Sequence, residues 1–359
     1  MVKLTPDQQG YLDEYPDTFE PASGAWGRQG CTMVVLRSAD KAIVEGAIKL
    51  ARHSTGRPAI IGFLGAFHGR TYGGLSLTAS KAVQRSGFAP FLPEIHHVPY
   101  GYRYRCEYCR GESECTRRCT SWIEDELFAK KIPPDSVAAI FVEPIQGEGG
   151  YVVPPAGYLR DLRELCDRYG ILLVCDEVQS GVGRSGKMWA CEYDGIEPDI
   201  LLSAKGLGSG MPIGAIIAKE SVMKWKPGAH GTTFGGNPVC CAAALATLDI
   251  VEHELLPNVA KMGDRLIGGA RKLQDKYAAI GDVRGRGLMV GVEFVKDRDT
   301  REPAPEMVRE LVDRGFKKGL LLLGCGKSSL RLAPPLVIDE YDVDTALRII
   351  DECLHEMSD

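Results

Sequence analysis

Apolar residues recur at helical spacing from Ala42 to Arg52, where Ile43, Ala47, Ile48 and Ala51 share one face, and Pro58 to Phe63 then reads as a short buried strand. The strongest pattern lies further on. Ala138 to Glu143 is a continuous apolar strand ending at Pro144, Leu159 to Tyr169 is an amphipathic helix closed by Gly170, and Ile171 to Cys175 is again continuously apolar. Strand, helix and strand in series imply parallel pairing through a right-handed crossover. Ile200 to Ser203 and Gly214 to Ala218 extend the same sheet, so the middle of the chain is an α/β domain.

After Pro238 the pattern changes to long helical stretches at Val239 to Glu254 and Val259 to Tyr277. A strand at Leu288 to Val295, a helix near Glu306 to Lys318, strands at Leu320 to Leu323 and Leu330 to Ala333, and a last helix from Glu340 complete an α+β tail. The expected organisation is an N-terminal segment over 1–41, a large domain over 42–250 with a Cys-rich insertion at 103–120, and a small domain over 251–359. Residues 1–37 carry no usable periodicity.

Composition narrows the class. With 359 residues, 44% of them apolar and 25% charged, the chain can bury a sizeable core. Its 43 Lys and Arg against 48 Asp and Glu leave a net charge of −5 and no basic stripe, which argues against nucleic acid as a partner. No apolar run reaches the roughly 18 residues of a membrane helix, and Met1 to Gly10 has no signal-peptide pattern, so the expected compartment is the cytoplasm. Twelve cysteines in a chain of this length read as reduced thiols rather than a disulfide scaffold.

Ligands of open parallel sheets bind beyond the carboxyl ends of the strands. Two polar residues stand there: Asp176, directly after Ile171 to Cys175, and Lys205, just after Ile200 to Ser203. Each alone reads as a loop or capping residue. Together they match the needs of pyridoxal phosphate, which takes a lysine on its aldehyde and a carboxylate on its ring nitrogen. Phe67-His68-Gly69 adds an aromatic to stack on the ring, and Gln179 can reach the ring hydroxyl.

The chain resembles the class III aminotransferases, pyridoxal-phosphate enzymes of fold type I. The resemblance is carried by Ala66–Thr71 (AFHGRT), Glu143–Gly150 (EPIQGEGG), Cys175–Arg184 (CDEVQSGVGR), Pro198–Gly214 around Lys205, Gly231–Pro238 (GTTFGGNP) and Leu330–Leu336 (LRLAPPL). It implies a mainly parallel large domain, an α+β small domain and a homodimer with its active site at the subunit interface. By position, Lys205 matches the lysine bonded to the cofactor and Asp176 the partner of the ring nitrogen. Phe67 matches the stacking aromatic, His68, Gly69, Val178 and Gln179 further cofactor contacts, and Thr233 a phosphate contact made across the interface. Arg331 matches the arginine that grips a substrate carboxylate, a task suited to a planar two-pronged donor. Glu148 matches a glutamate that masks this arginine for one substrate and releases it for the other, and Arg70 an arginine for a remote carboxylate. The implied reaction moves an amino group from an ω-amino acid, of the 4-aminobutyrate, acetylornithine or ornithine kind, to a keto acid such as 2-oxoglutarate. A racemase or decarboxylase on the same scaffold uses the same cofactor residues and stays open.

Two features depart from the family pattern. Ser38-Ala39-Asp40-Lys41 stands where the family has a Ser-Gly-Thr or Ser-Gly-Ala turn that donates hydrogen bonds to the phosphate. Ser38 keeps a hydroxyl, but Asp40 repels a phosphate, so weak cofactor retention is expected and a family member serving only as a binding subunit stays open. The run Cys106-x2-Cys109-x5-Cys115-x3-Cys119 has spacing compatible with a zinc site, with Arg103, Arg105, Arg110, Arg117 and Arg118 to offset thiolate charge. Against a site, the second pair has looser spacing, and a reduced surface loop needs no metal.

Overall fold

Five parallel strands form the centre of the molecule. The computed structural model describes residues 31–38, 43–109 and 114–358, the first of these as backbone. Strands β1 (Cys31–Ser38), β2 (Ala59–Phe63), β3 (Ile95–Val98), β4 (Val137–Val142), β5 (Leu172–Asp176), β6 (Ile200–Ser203) and β7 (Gly214–Lys219) form one sheet in the order β1-β7-β6-β5-β4-β2-β3. β3, β2, β4, β5 and β6 run parallel, whereas β7 is antiparallel to β6 and β1 to β7. Strand β1 falls in the part of the sequence without visible periodicity.

Alternate residues of the central strands feed two cores. Ile61, Ile140, Val142, Leu173, Cys175 and Leu201 pack with Leu159, Leu162 and Leu165 of helix α3 (Tyr158–Tyr169). Ile60, Phe141, Val174, Ile200 and Leu202 pack instead on α1 (Ile43–Thr55) through Ile43, Ala47, Ile48 and Leu50. Both faces are covered, which is why these strands read as unbroken apolar runs. The short helix α2 (Tyr72–Leu77) follows β2.

Helix α4 (Pro238–Ile250) continues through a π turn at Val251–Leu255 into α5 (Leu256–Lys276), so helix crosses residue 250 without a break. The second sheet contains β8 (Ile280–Arg286), β9 (Met289–Asp297), β10 (Glu302–Pro303), β11 (Leu323–Cys325) and β12 (Ser329–Leu332). β9 pairs with β8, β12 and β10, all antiparallel. Helices α5, α6 (Pro305–Lys317) and α7 (Glu340–Glu356) cover it through Leu266, Leu311, Ile350 and Leu354. The strand expected at Leu320 to Leu323 is displaced, because Leu322 is buried in this core and pairing begins only at Leu323. Among the described residues no helix is long and apolar enough to cross a membrane.

Candidate active site

The carboxyl ends of β2, β4, β5 and β6 open into four neighbouring loops that begin at Leu64, Glu143, Glu177 and Ala204. Asp176 closes β5 and pairs in register with Leu202 of β6, three residues before Lys205. The carboxylate and the lysine therefore emerge from adjacent strands at the same edge of the sheet. Lys205 is exposed and has φ +46°, a left-handed conformation that costs a non-glycine residue on the order of 1–3 kcal/mol and is typical of functional sites.

Asp176 is buried and held from two sides. One carboxylate oxygen accepts the Val178 N–H at 3.1 Å, and the other lies 2.7 Å from His68 Nδ1, 108 residues away in sequence. Burial alone pulls the His68 imidazole down. The hydrogen bond and charge of Asp176, with the charge of Glu143, outweigh that and raise it. Glu143, the first residue after β4, accepts the Phe67 N–H at 2.8 Å and the Gly147 N–H at 2.9 Å, tying two of the site loops together. Burial first, with the neighbouring Asp176 charge adding to it and His68 opposing, pushes the Glu143 carboxyl up to about 7.

Phe67 is half-buried, with the Arg70 guanidinium 5.7 Å from its ring centre and Arg70 itself exposed. Gln179 donates to the Tyr151 hydroxyl at 3.1 Å and packs so closely on Gly147 that a Cβ there would meet its Oε1 at 1.8 Å. Gly69, at φ +115°, lets the chain turn after His68, whose N–H is held by Thr78 Oγ1 at 2.9 Å.

Glu148 and Arg331, 183 residues apart, meet at 2.6 Å between Oε1 and an Nη, each side chain 20% exposed. The Glu148 loop is fixed from the second sheet: Gly326 N–H, in the turn between β11 and β12, donates to Glu148 O at 2.8 Å. Arg331 Nε is buried with no partner among the described residues, so the guanidinium still has a donor to offer.

The other expected positions lie apart from this cluster or outside it. Thr233 is exposed, in a surface segment leading to α4. Residues 39–42 and the Ser38 side chain, the expected phosphate cradle, lie outside the described residues. The zinc expectation for Cys106, Cys109, Cys115 and Cys119 is corrected: among the described residues no group of three or more His, Cys, Asp or Glu is disposed to hold a metal ion. Cys119 belongs to the apolar core, where burial pushes its thiol up to about 12, and Cys109 Sγ instead contacts Cys115 Sγ at 3.4 Å. Sequence reasoning missed Glu143, Thr78 and Tyr151. Only Glu143 left a signal, a carboxylate at the end of an apolar strand.

A family model described as "Aminotransferase class-III" matches residues 29–354. An alanine/serine racemase of Pyrococcus horikoshii is 39% identical over 320 residues, 87% of this chain and 67% of that protein. A 4-aminobutyrate aminotransferase of Mycobacterium leprae is 38% identical over 347 residues, 95% of this chain and 77% of that protein. Among solved structures, an amine transaminase from an uncultivated Pseudomonas species in its PLP-bound form superposes with a TM-score of 0.85 at 31% identity, over 99% of this chain and 87% of that one.

Proposed function

The chain belongs to the class III aminotransferase family, and we propose that it moves an amino group from an ω-amino acid of the 4-aminobutyrate type to a keto acid such as 2-oxoglutarate. The observation that carries this reading is the 2.6 Å Glu148–Arg331 pair. A transferase with two unlike substrates must take a carboxylate at one stage and tolerate its absence at another. An arginine left unpaired in a partly buried site is costly, and a movable glutamate gives Arg331 a partner in the stage when the substrate brings none.

The donor set fits pyridoxal 5′-phosphate, with a lysine and a buried carboxylate at one sheet edge and a half-buried aromatic beside them. When bound, that cofactor supplies an aldehyde for the amine and an electron-withdrawing ring. Lys205 Nζ would hold the cofactor through its aldehyde before substrate arrives, and once released would carry the proton taken from the amine-bearing carbon. Asp176 holds a proton at the ring nitrogen, and His68, 2.7 Å away, keeps that carboxylate oriented. Phe67, Val178 and Gln179 would hold the cofactor ring, and Arg70 and Arg331 would take the two carboxylates of 2-oxoglutarate. Thr233 serves the phosphate of a second copy. Dimerisation is supported by the apolar face left exposed on and beside α4, with Phe234 79%, Val239 62% and Leu245 60% exposed.

A racemase reading draws on the relative from Pyrococcus horikoshii, but a single substrate gives no reason to mask Arg331. The test is incubation of the cofactor-loaded protein with 4-aminobutyrate and 2-oxoglutarate, quantifying glutamate, alongside chiral analysis of alanine and serine incubated alone. Glutamate formed in step with the aldehyde product supports transfer. Inversion of alanine or serine without any glutamate refutes it.

A further inference from the structure

The Glu148 carboxylate faces two cations. Its Oε1 is held by Arg331 at 2.6 Å, while its Oε2 lies 3.9 Å from Lys81 Nζ. Lys81 is 39% exposed and belongs to a segment fixed to the base of the Phe67 loop: Ala79 N–H donates to Ala66 O at 2.8 Å, and Gly65 N–H donates to Ala79 O at 3.1 Å. The segment is thus anchored where it passes Glu148.

A substrate carboxylate that takes Arg331 must displace Glu148, which is then a partly desolvated anion without its partner. The released state therefore needs another positive charge within reach. Buried Cys325 reports that the same charges converge: its thiol is pushed up to about 12 by burial, with Arg331, Arg284 and Lys81 opposing and Glu148 adding to the rise.

Resting on the transfer reading above, we propose that Lys81 is the positioning residue that receives Glu148 when a dicarboxylate occupies Arg331. Lys81 acts through Glu148 and does not itself touch the substrate. In the masked state the 3.9 Å separation makes Lys81 a weak partner; in the released state Oε1 is freed from Arg331 and the carboxylate turns fully toward Nζ. Lys81 therefore stabilises the released state more than the masked one, and lowers the cost of admitting 2-oxoglutarate or glutamate.

Glutarate, an unreactive dicarboxylate, is the probe, and its affinity for the cofactor-loaded protein is read by isothermal titration. Lys81→Met is expected to weaken glutarate roughly fivefold, the weight of about 1 kcal/mol for a half-exposed ion pair. Lys81→Arg should restore most of the affinity. Glu148→Ala should tighten glutarate by removing its competitor, and in that background Lys81→Met should change affinity by less than twofold. An equal loss from Lys81→Met with and without Glu148 overturns the inference, since Lys81 would then contact the ligand directly. Glutarate binding unaffected by Lys81→Met also overturns it while leaving the transfer reading intact. Absence of glutarate binding in the unaltered protein overturns both.

Discussion

Glu293→Gln should remove much of the acid-side stability of this protein. Glu293 lies in the middle of β9 with its side chain 2% exposed, yet it is fully partnered. Arg284 donates to Oε2 at 2.8 Å, the Tyr102 hydroxyl at 2.6 Å and the Ser329 hydroxyl at 2.7 Å, while Arg105 Nε donates to Oε1 at 2.8 Å. Burial alone would raise this carboxyl. The Arg284 charge, the two hydroxyl bonds and Arg105 outweigh it and bring it from the ordinary 4.5 to about 2. Because the folded value lies below the unfolded one, the stabilisation is present above pH 4.5 and is lost as pH falls toward 2. At 1.36 kcal/mol for each tenfold change in proton affinity, the contribution at neutral pH is about 3 kcal/mol. The variant also leaves Arg284, 9% exposed, short of an anion, so a loss of about 3–5 kcal/mol is expected at pH 7. Urea unfolding followed by circular dichroism from pH 2.5 to 7, at fixed protein concentration, should show the two proteins converging as pH falls. Part of the residual acid limb belongs to buried Asp199, which burial would raise but Arg163, Lys219 and the Leu173 N–H hold below its ordinary value. Curves that stay parallel across the range would show that Glu293 is not the titrating group and refute the reasoning.

Glu143 carries the opposite sign: its folded value of about 7 exceeds the ordinary 4.5, so stability falls as pH rises from 4.5 to 7, and Glu143→Gln should flatten that decline by up to about 3 kcal/mol in the same unfolding assay. If the proposed dimer forms through the exposed apolar face of α4, Leu245→Asp should lower the mass seen in sedimentation velocity from that of two chains to that of one; two-chain mass retained by the variant would locate the interface elsewhere, and one-chain mass in the unaltered protein would refute the dimer. Gly74→Ala would set a Cβ 2.5 Å from the His68 carbonyl oxygen and should destabilise the fold by about 1–3 kcal/mol, seen as a lowered Tm and a weaker hold on pyridoxal phosphate in equilibrium dialysis. If residues 38–41 form the phosphate cradle that the family resemblance implies, replacing Ala39 and Asp40 by Gly and Thr should tighten that binding by about a hundredfold or more, at roughly 1.5–3 kcal/mol for each of two hydrogen bonds; unchanged binding would show that the phosphate is held elsewhere.

The sequence exposed those parts of the fold whose environment is uniform along an element. Strands β4, β5 and β6 are buried on both faces and read as apolar runs, and helices such as α3 and α6 bury one stripe and read at period 3.6. Strand β3, Ile-His-His-Val at the sheet edge, lacks that uniformity: His97 is stabilised by the Leu77 carbonyl at 2.9 Å rather than by an apolar core. Strand β8 carries Asp282, Arg284 and Arg286 among its seven residues, and Arg284 is fully committed to partners on β9, β12 and the Gly150 loop. No local pattern announces such a strand, because its stabilisation is a network closed only by the tertiary fold.

The same distinction separates the site residues. Asp176 and Lys205 could be found because each directly follows an apolar strand, so local sequence places them at a sheet edge where ligands bind. His68 and Asp176, Glu148 and Arg331, and Lys81 and Glu148 are pairs whose meaning lies in a distance, and that distance exists only after β2, β4, β5 and β12 have been assembled. Arg284 joins the two levels: it donates to the carbonyls of Gly150 and Tyr151, to Ser329 beside Arg331, and to Glu293. It thereby holds the loop that carries Glu148 against the strand that carries Arg331. Proton binding to Glu293 or its replacement by glutamine weakens Arg284's anchor, so the Glu148–Arg331 separation should loosen along with the fold. Glutarate affinity measured in Glu293→Gln at a temperature where the variant is fully folded tests this link: an unchanged affinity means that Asp282, Ser329 and the two carbonyls hold Arg284 in place without Glu293.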